Sequence, residues 1–274
     1  MRLEAILEEV NPEYIFHLAA QPIVKTSFEY PNLTFETNTI GTLNLVDLAR
    51  RCKDLETVVV ITTDKVYENA EPYYYSENDK LGGDDPYSAS KACAEIVVNS
   101  FKADYQERGI SLCTARAGNV VGGGDWQYRL IPMFIDSWIK DSSLTIWNPN
   151  AVRPWQFVLD CLYGYLLLGA EHRTGSWNFG PDEENWVSVS RILKSFIKFA
   201  QAKNYCVGSG KYRESERVTL NPSKAFKELG WKTRYDINQI AEKTVNWYAT
   251  YYYEPNYLLD LTYKQIDEYQ NQKL

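Results

Sequence analysis

The residues best suited to proton chemistry fall in two short runs. Tyr87 and Lys91 stand four apart in Pro86-Tyr87-Ser88-Ala89-Ser90-Lys91, and Thr63 and Asp64 are adjacent in Ile61-Thr62-Thr63-Asp64-Lys65-Val66-Tyr67. A phenol ordinarily titrates near ~10. An ammonium held beside it favours the phenolate and lowers that value. The result is a base near neutral pH, suited to taking a proton from a sugar hydroxyl. Thr63 would supply a hydroxyl donor and Asp64 a carboxyl acid. A Tyr-x-x-x-Lys pair alone also fits an amphipathic helix start with a solvated lysine, so the surrounding elements decide.

A strand and a helix must position these groups. Residues 57–62 are β-branched and apolar, which predicts a buried parallel strand. Residues 88–101 hold helix formers and no Gly or Pro, which puts Tyr87 and Lys91 on one face of a helix start. Upstream, Leu3, Ile6, Leu7 and Val10 share a helical face, and Asn11-Pro12 ends that helix. Residues 14–20 read as a second buried strand. Ala19 and Ala20 at its carboxyl end would let a ligand approach the backbone, at the edge where open α/β sheets bind ligands; tight helix–sheet packing accounts for them equally well. Further helices are predicted over 28–51, 159–170, 187–202 and 237–253, and a strand over 110–115. Gly41 falls inside the first of these helices at a cost of about 1 kcal/mol, which a close packing contact or chance would explain. The polar loop 68–85, with Tyr73-Tyr74-Tyr75, is either a lid or a plain surface loop.

Composition narrows the function class. The 274 residues suffice for a sizeable core and one or two domains. Formal net charge is −7, which argues against a dominant nucleic-acid or anionic-membrane surface. The five cysteines are widely spaced without a Cys-x-x-Cys, so a disulfide framework or zinc site is not expected, and buried thiols in a reducing, cytoplasmic compartment are. His17 and His172 are the only histidines, which rules out a multi-histidine metal site. No stretch of about 18 apolar residues suggests a membrane span, and the acidic amphipathic start lacks a signal-peptide pattern. The glycines at 122–124 lack the Gly-x-Gly-x-x-Gly spacing of a dinucleotide cradle. Gly208-Ser209-Gly210-Lys211 lacks the first glycine of a phosphate loop and has Tyr212 where that loop needs Ser or Thr.

Thr-Thr-Asp-Lys at a strand end followed by Pro-Tyr-Ser-Ala-Ser-Lys resembles the extended short-chain dehydrogenase/reductase family. His-Leu-Ala-Ala-Gln at 17–21 and Glu-Thr-Asn-Thr-Ile-Gly-Thr-Leu-Asn-Leu at 36–45 resemble further segments of it. Ala-Gly-Asn-Val-Val-Gly-Gly-Gly-Asp-Trp at 117–126, Arg-Leu-Ile-Pro at 129–132 and Asn-Pro-Asn-Ala-Val-Arg-Pro-Trp-Gln-Phe-Val at 148–158 resemble one branch, the CDP-glucose 4,6-dehydratases. The resemblance implies a Rossmann-like, doubly wound parallel α/β sheet with a smaller C-terminal substrate domain. It places a partial NAD-binding domain over 1–125, with 156–180 returning to it, and the substrate domain over 126–155 and 181–274. It also implies a strand, a Gly-rich turn and a helix ahead of the segment matching 14–20. These are not in the sequence, which is therefore expected to be an N-terminally incomplete member with exposed sheet edges, weak NAD affinity and poor solubility.

The same resemblance implies residue roles. Tyr87 is the base for the sugar C4 hydroxyl. Lys91 lowers its pKa and holds the nicotinamide ribose, Thr63 hydrogen-bonds the C4 oxygen, and Asp64 protonates the leaving C6 hydroxyl. Leu18, Ala19, Ala20, Gln21 and Thr37 border NAD. Asn119 orients sugar or nicotinamide, and Arg129 and Arg153 are candidates for the pyrophosphate. Lys65 stands where most nucleotide-sugar 4,6-dehydratases carry Glu, and acts either as the C5 base or as a charge that stabilises the enolate. CDP-glucose is the implied substrate, and a homodimer or homotetramer through helices at 36–51 and 88–107 the implied assembly. Two other readings stay open: a nucleotide-sugar 4-epimerase, against which Asp64 and Lys65 count, and a non-catalytic remnant or sugar-nucleotide binding module.

Overall fold

The computed structural model describes residues 2–68, 74–125, 127–208 and 219–272; Tyr73, Trp126 and the stretch 209–212 lie outside them. The elements run α1 (Arg2–Val10), β1 (Tyr14–His17), α2 (Val24–Glu29), α3 (Pro31–Phe35), a π turn (Glu36–Ile40), α4 (Gly41–Ala49), β2 (Thr57–Ile61), a 3-10 turn (Asp64–Val66), β3 (Tyr74–Tyr75), α5 (Pro86–Glu107), β4 (Ser111–Ala117), β5 (Val120–Val121) and α6 (Leu130–Ile139). They continue through β6 (Thr145–Ile146), β7 (Val152–Pro154), β8 (Gln156–Phe157), α7 (Val158–Ala170), β9 (Gly175–Phe179), β10 (Trp186–Ser188), α8 (Val189–Ala200), β11 (Cys206–Val207), β12 (Thr219–Leu220), α9 (Ser223–Leu229), α10 (Ile237–Tyr253) and α11 (Leu258–Asn271). The chain divides into two compact units. The first comprises Met1–Gly118, Leu162–Phe179 and Thr219–Trp231; the second comprises Asn119–Cys161, Gly180–Val218 and Lys232–Leu274.

The first unit is built on a parallel sheet in the order β1-β2-β4-β9, with Phe16 beside Val59, Val59 beside Cys113 and Ala115 beside Trp177. The inner strands β2 and β4 have neighbours on both edges. Strand β2 reads as a near-continuous apolar run because both its faces are covered, whereas β4 is equally buried but carries Thr114 and Arg116, whose side chains are paired with Glu95. Val58 and Val60 pack with Val46 of α4, Val98 and Tyr105 of α5, and Leu112 in one buried cluster. The expected buried strand over 14–20 is shorter, Tyr14–His17, and only partly buried, because β1 is outermost among the described strands. The expected division of the chain also shifts. Residues 219–231 join the first unit, since Thr219 and Leu220 pair with Tyr74 and Tyr75, and Trp231 meets the Phe179 ring edge-on at 4.9 Å.

The single helix expected over 28–51 is broken. Tyr30 adopts φ −134° ahead of Pro31, which starts a new helix, and residues 36–40 then wind as one π turn. Proline is disfavoured inside a helix because it lacks an N–H, yet it suits a first turn. Gly41 makes no close contact: an added Cβ would meet only the Glu36 carbonyl oxygen, at 3.6 Å. The second unit pairs β5 with β8, β7 with β10 and β6 with β11. Its core includes Phe134 of α6 edge-on to Phe196 of α8, with Ile192 and Ile240 fully buried. A capping box, Asp236 with Gln239, starts α10.

Candidate active site

Strand β2 and helix α5 bring the sequence-predicted residues to one end of the sheet in the first unit. Strand β2 ends at Ile61. Thr63, in extended backbone, accepts from the Lys65 N–H and starts the 3-10 turn that carries Asp64. Asp85 caps α5 through the Ser88 N–H, and Pro86 occupies its first turn. Tyr87 and Lys91 therefore lie on the first two turns, and both are buried. The Lys91 ammonium donates to the Ile61 carbonyl at 2.9 Å, tying the helix face to the strand end. Burial lowers that ammonium to about 8, against an upward pull from Glu95. Thr63 and Asp64 are 6% and 5% exposed, and the Thr63 hydroxyl donates to the Asp64 carboxylate at 3.0 Å. Lys65, next along the turn, is exposed.

A polar network beneath this corner has no counterpart in the sequence reading. Glu95, one turn after Lys91, accepts from the Thr62 hydroxyl at 2.5 Å, the Thr114 hydroxyl at 2.8 Å, and Arg116 Nε and Nη2 at 2.9 and 2.8 Å. Burial pushes the Glu95 carboxyl up, and the Arg116 guanidinium with the two hydroxyls more than reverses it, holding it below the usual range. Arg116 also donates to the Tyr67 hydroxyl at 2.7 Å, and Tyr67 donates to Asn178. A buried pair of this kind is weak evidence for stability, but it fixes Thr62 and so the backbone leading to Thr63. Its one sequence signal was a carboxylate four residues after Lys91. Gly118 was also missed. A Cβ there would overlap the Asp64 carboxylate, so only glycine lets that side chain occupy its place. Spacing along the chain carries no trace of this contact.

The other end of the predicted constellation follows β1. Leu18 is 52% exposed, Ala19 is exposed, and Ala20, Gln21 and Thr37 are partly buried. His17, the last residue of β1, has its imidazole pulled down to about 4 by burial and then by the charge of Lys91. It is therefore neutral beside an ammonium at neutral pH.

Asn119, Arg129 and Arg153 belong to the second unit. Asn119 sits at φ 43°, the left-handed region that Asn tolerates better than most residues, and its carbonyl accepts from the Gln156 N–H at 3.2 Å. Arg129 stands just before α6 without a side-chain bond to it, its Nε 3.8 Å from the Asp125 carboxylate. Arg153 lies on β7 opposite Val187. The same unit holds an open cleft of about 900 Å³ whose lining includes Tyr128, Lys140, Trp147, Trp247 and Tyr251. Among the described residues no group of His, Cys, Asp and Glu side chains is arranged to hold a metal ion, and no helix is long and apolar enough to cross a membrane.

Residues 1–244 match the family model described as GDP-mannose 4,6 dehydratase. The CDP-glucose 4,6-dehydratase of Salmonella typhimurium is 38% identical over 267 residues, covering 91% of this chain and 74% of that protein. The UDP-glucose 4-epimerase of Thermotoga maritima, solved with UDP-glucose, superposes with a TM-score of 0.82 at 22% identity, over 92% of this chain and 82% of that one. The UDP-glucose 4-epimerase of Thermus thermophilus, solved with NAD, gives 0.80 at 25% identity, over 90% and 80%.

Proposed function

The chain belongs to the GDP-mannose 4,6-dehydratase family, and we propose that it is a hydro-lyase converting CDP-glucose to CDP-4-keto-6-deoxyglucose with NAD. NAD, when bound, supplies the acceptor and donor of the hydride. The first unit fits its nicotinamide half: a buried ammonium stands at the sheet end beside a phenol one turn away, and Ala19 and Ala20 leave the backbone after β1 approachable. Tyr87 and Lys91 would hold the nicotinamide ribose, with Leu18, Ala19, Ala20, Gln21 and Thr37 along the remainder.

Tyr87 takes the proton of the C4 hydroxyl, and the Lys91 ammonium favours the phenolate that does so. The Thr63 hydroxyl, which donates to Asp64 in the structure, turns to the C4 oxygen when substrate binds, and Asp64 takes up the proton that it later gives to C6. With C4 a ketone, the C5 proton becomes acidic. The C5 proton passes to solvent water, which reaches this turn beside the exposed Lys65, as Asp64 gives its proton to the C6 hydroxyl; water leaves across C5 and C6, and solvent returns a proton to C5 and to Asp64 as C6 is reduced. Because Lys65 is exposed rather than buried, we assign it charge stabilisation of the enolate. Asn119 orients the sugar, Arg129 and Arg153 take the pyrophosphate, and the aromatic cleft of the second unit takes the nucleoside end. The buried placement of Asp64 beside Thr63, in space that Gly118 leaves open, carries this reading over an epimerase. An epimerase needs no acid for C6.

Incubation with CDP-glucose and NAD, followed by ultraviolet absorbance in base, tests it. A ketone chromophore is expected with CDP-glucose. No chromophore, or a C4 epimer in its place, would sink the dehydratase reading.

A further inference from the structure

We propose that Tyr248 is a positioning residue: its phenol oxygen, with the Trp247 indole beside it, holds the glycine-rich loop 122–125 so that Arg129 is in place before the substrate pyrophosphate arrives. The inference rests on the reading of Arg129 given above for what is bound, and on the second unit alone for how the loop is held.

Gly122, Gly123 and Gly124 follow β5, and each meets a separate demand. A Cβ at Gly122 would overlap the Val158 side chain at the start of α7, and one at Gly123 would overlap the Trp247 ring. Gly124 has φ 77°, the left-handed region that favours glycine. The loop backbone therefore lies directly against the indole, where any side chain would lift it off. Its start is fixed by the pairing of Val120 with Gln156 and Val121 with Phe157. Its far end, at Asp125, is fixed by α10.

Trp247 and Tyr248 are neighbours on α10. The Trp247 Nε1–H donates to Thr262 Oγ1 of α11 at 3.1 Å, and the ring stacks on Tyr251 with centroids 5.7 Å apart and planes 7° from parallel. The indole is thus held at its edge and on a face. Tyr248, 6% exposed, accepts from the Asp125 N–H at 3.1 Å. Burial pushes this phenol up to about 12 in spite of that bond, so it serves as a neutral acceptor and not as a second base. Asp125 converts a pinned backbone into a placed cation, because its carboxylate lies 3.8 Å from Arg129 Nε. An exposed arginine gives up rotamer freedom when it binds an anion. A fixed loop with a carboxylate that orients the guanidinium beforehand lowers that cost.

Tyr248 also lines the aromatic cleft, so the test must separate an action through Arg129 from direct contact with the nucleoside. A double-mutant cycle does so. CDP-glucose binding is measured by calorimetry for the parent, Tyr248→Phe, Arg129→Ala and the double variant. Tyr248→Phe removes one oxygen and should raise Kd about tenfold. With Arg129 already absent, the same change should raise it by no more than about twofold, since coupled groups do not add. Thr262→Val, which removes the indole's acceptor from α11, should shift Kd in the same direction by less, and only while Arg129 is present. A phenol in direct contact with the nucleoside would cost the same with and without Arg129. That result, or parental affinity in a folded Tyr248→Phe protein, overturns the inference. Where Tyr248→Phe does not fold, Thr262→Val with and without Arg129 decides in the same way. A parent that binds CDP-glucose yet yields no ketone refutes the dehydratase reading, and the cycle still decides the role of Tyr248. A parent that binds no CDP-glucose overturns both.

Discussion

A methyl group at position 118 would collide with the Asp64 carboxylate, so Gly118→Ala should displace the acid without touching the base. The expected result is turnover lowered about 100-fold, since small misplacements of catalytic groups cost that much, with CDP-glucose affinity by calorimetry changed no more than a few-fold. Parental turnover would remove Asp64 from the chemistry. Lys91 gives a second test at this scale. Its folded value, about 8, lies below the ordinary lysine value of 10.5, so the unfolded chain binds the proton more tightly. The resulting penalty is full below pH 8 and fades as pH rises to 10.5. Lys91→Met should therefore abolish dehydration yet raise stability to urea at pH 7 by roughly 1–2 kcal/mol, after loss of the Ile61 bond, and that gain should shrink towards pH 10.5. Residue types and spacing made the places of Thr63 and Asp64 after β2, and of Tyr87 and Lys91 at the start of α5, legible in the sequence. Gly118 and Arg116 were not, because their contacts with Asp64 and Glu95 exist only once strand β4 lies beside β2.

At the scale of elements, the helices with uninterrupted apolar periodicity were read nearly to their ends, 237–253 being Ile237–Tyr253 in the structure. The 28–51 segment was not: Pro31 breaks it by its own covalent geometry, a local signal that the reading passed over, while the π turn leaves no periodic signal in the sequence. Helix α11 offers a test that was likewise invisible in the sequence. Asp160, fully buried, accepts from the Tyr269 hydroxyl at 2.8 Å and the Arg234 N–H at 2.9 Å, and Arg234 lies over the Tyr269 ring at 4.5 Å. Burial raises the Asp160 carboxyl to about 6, in spite of these bonds. The folded protein thus holds this proton more tightly than the unfolded chain, and stability falls as pH rises from about 4 to 6, by on the order of 3 kcal/mol. Asp160→Asn keeps an acceptor without the charge. Its melting temperature should equal or exceed the parent's at pH 7, and its pH dependence between 4 and 6 should flatten. A variant that melts far below the parent at pH 7 would show that the charge itself holds α11.

At the scale of the whole molecule, the chain passes several times between two compact units, and its alternation of strands and helices was legible because β2 is an apolar run and the segment of α5 that follows it holds helix formers without Gly or Pro beyond its first turn. The traffic of 219–231 into the first unit was not, since two residues of β12 pairing with β3 leave no periodic signal. The resemblance to relatives implies an assembly through the helices at 36–51 and 88–107, and Ile40 and Ile96 on them are 47% and 59% exposed. Covering such side chains is the usual use of an apolar helix face. We expect the parent to sediment as a dimer or tetramer and Ile96→Glu as a monomer; a monomeric parent would contradict this assembly. The central claim is that Tyr87, Lys91, Thr63 and Asp64 act on one hexose. Its most direct measurement is the fate of deuterium placed at C4 of CDP-glucose, followed by NMR of the product. The account predicts deuterium at C6 of a 4-keto-6-deoxy sugar with the parent and no product with Tyr87→Phe. Deuterium lost to solvent or retained at C4, or full turnover by Tyr87→Phe, would contradict it.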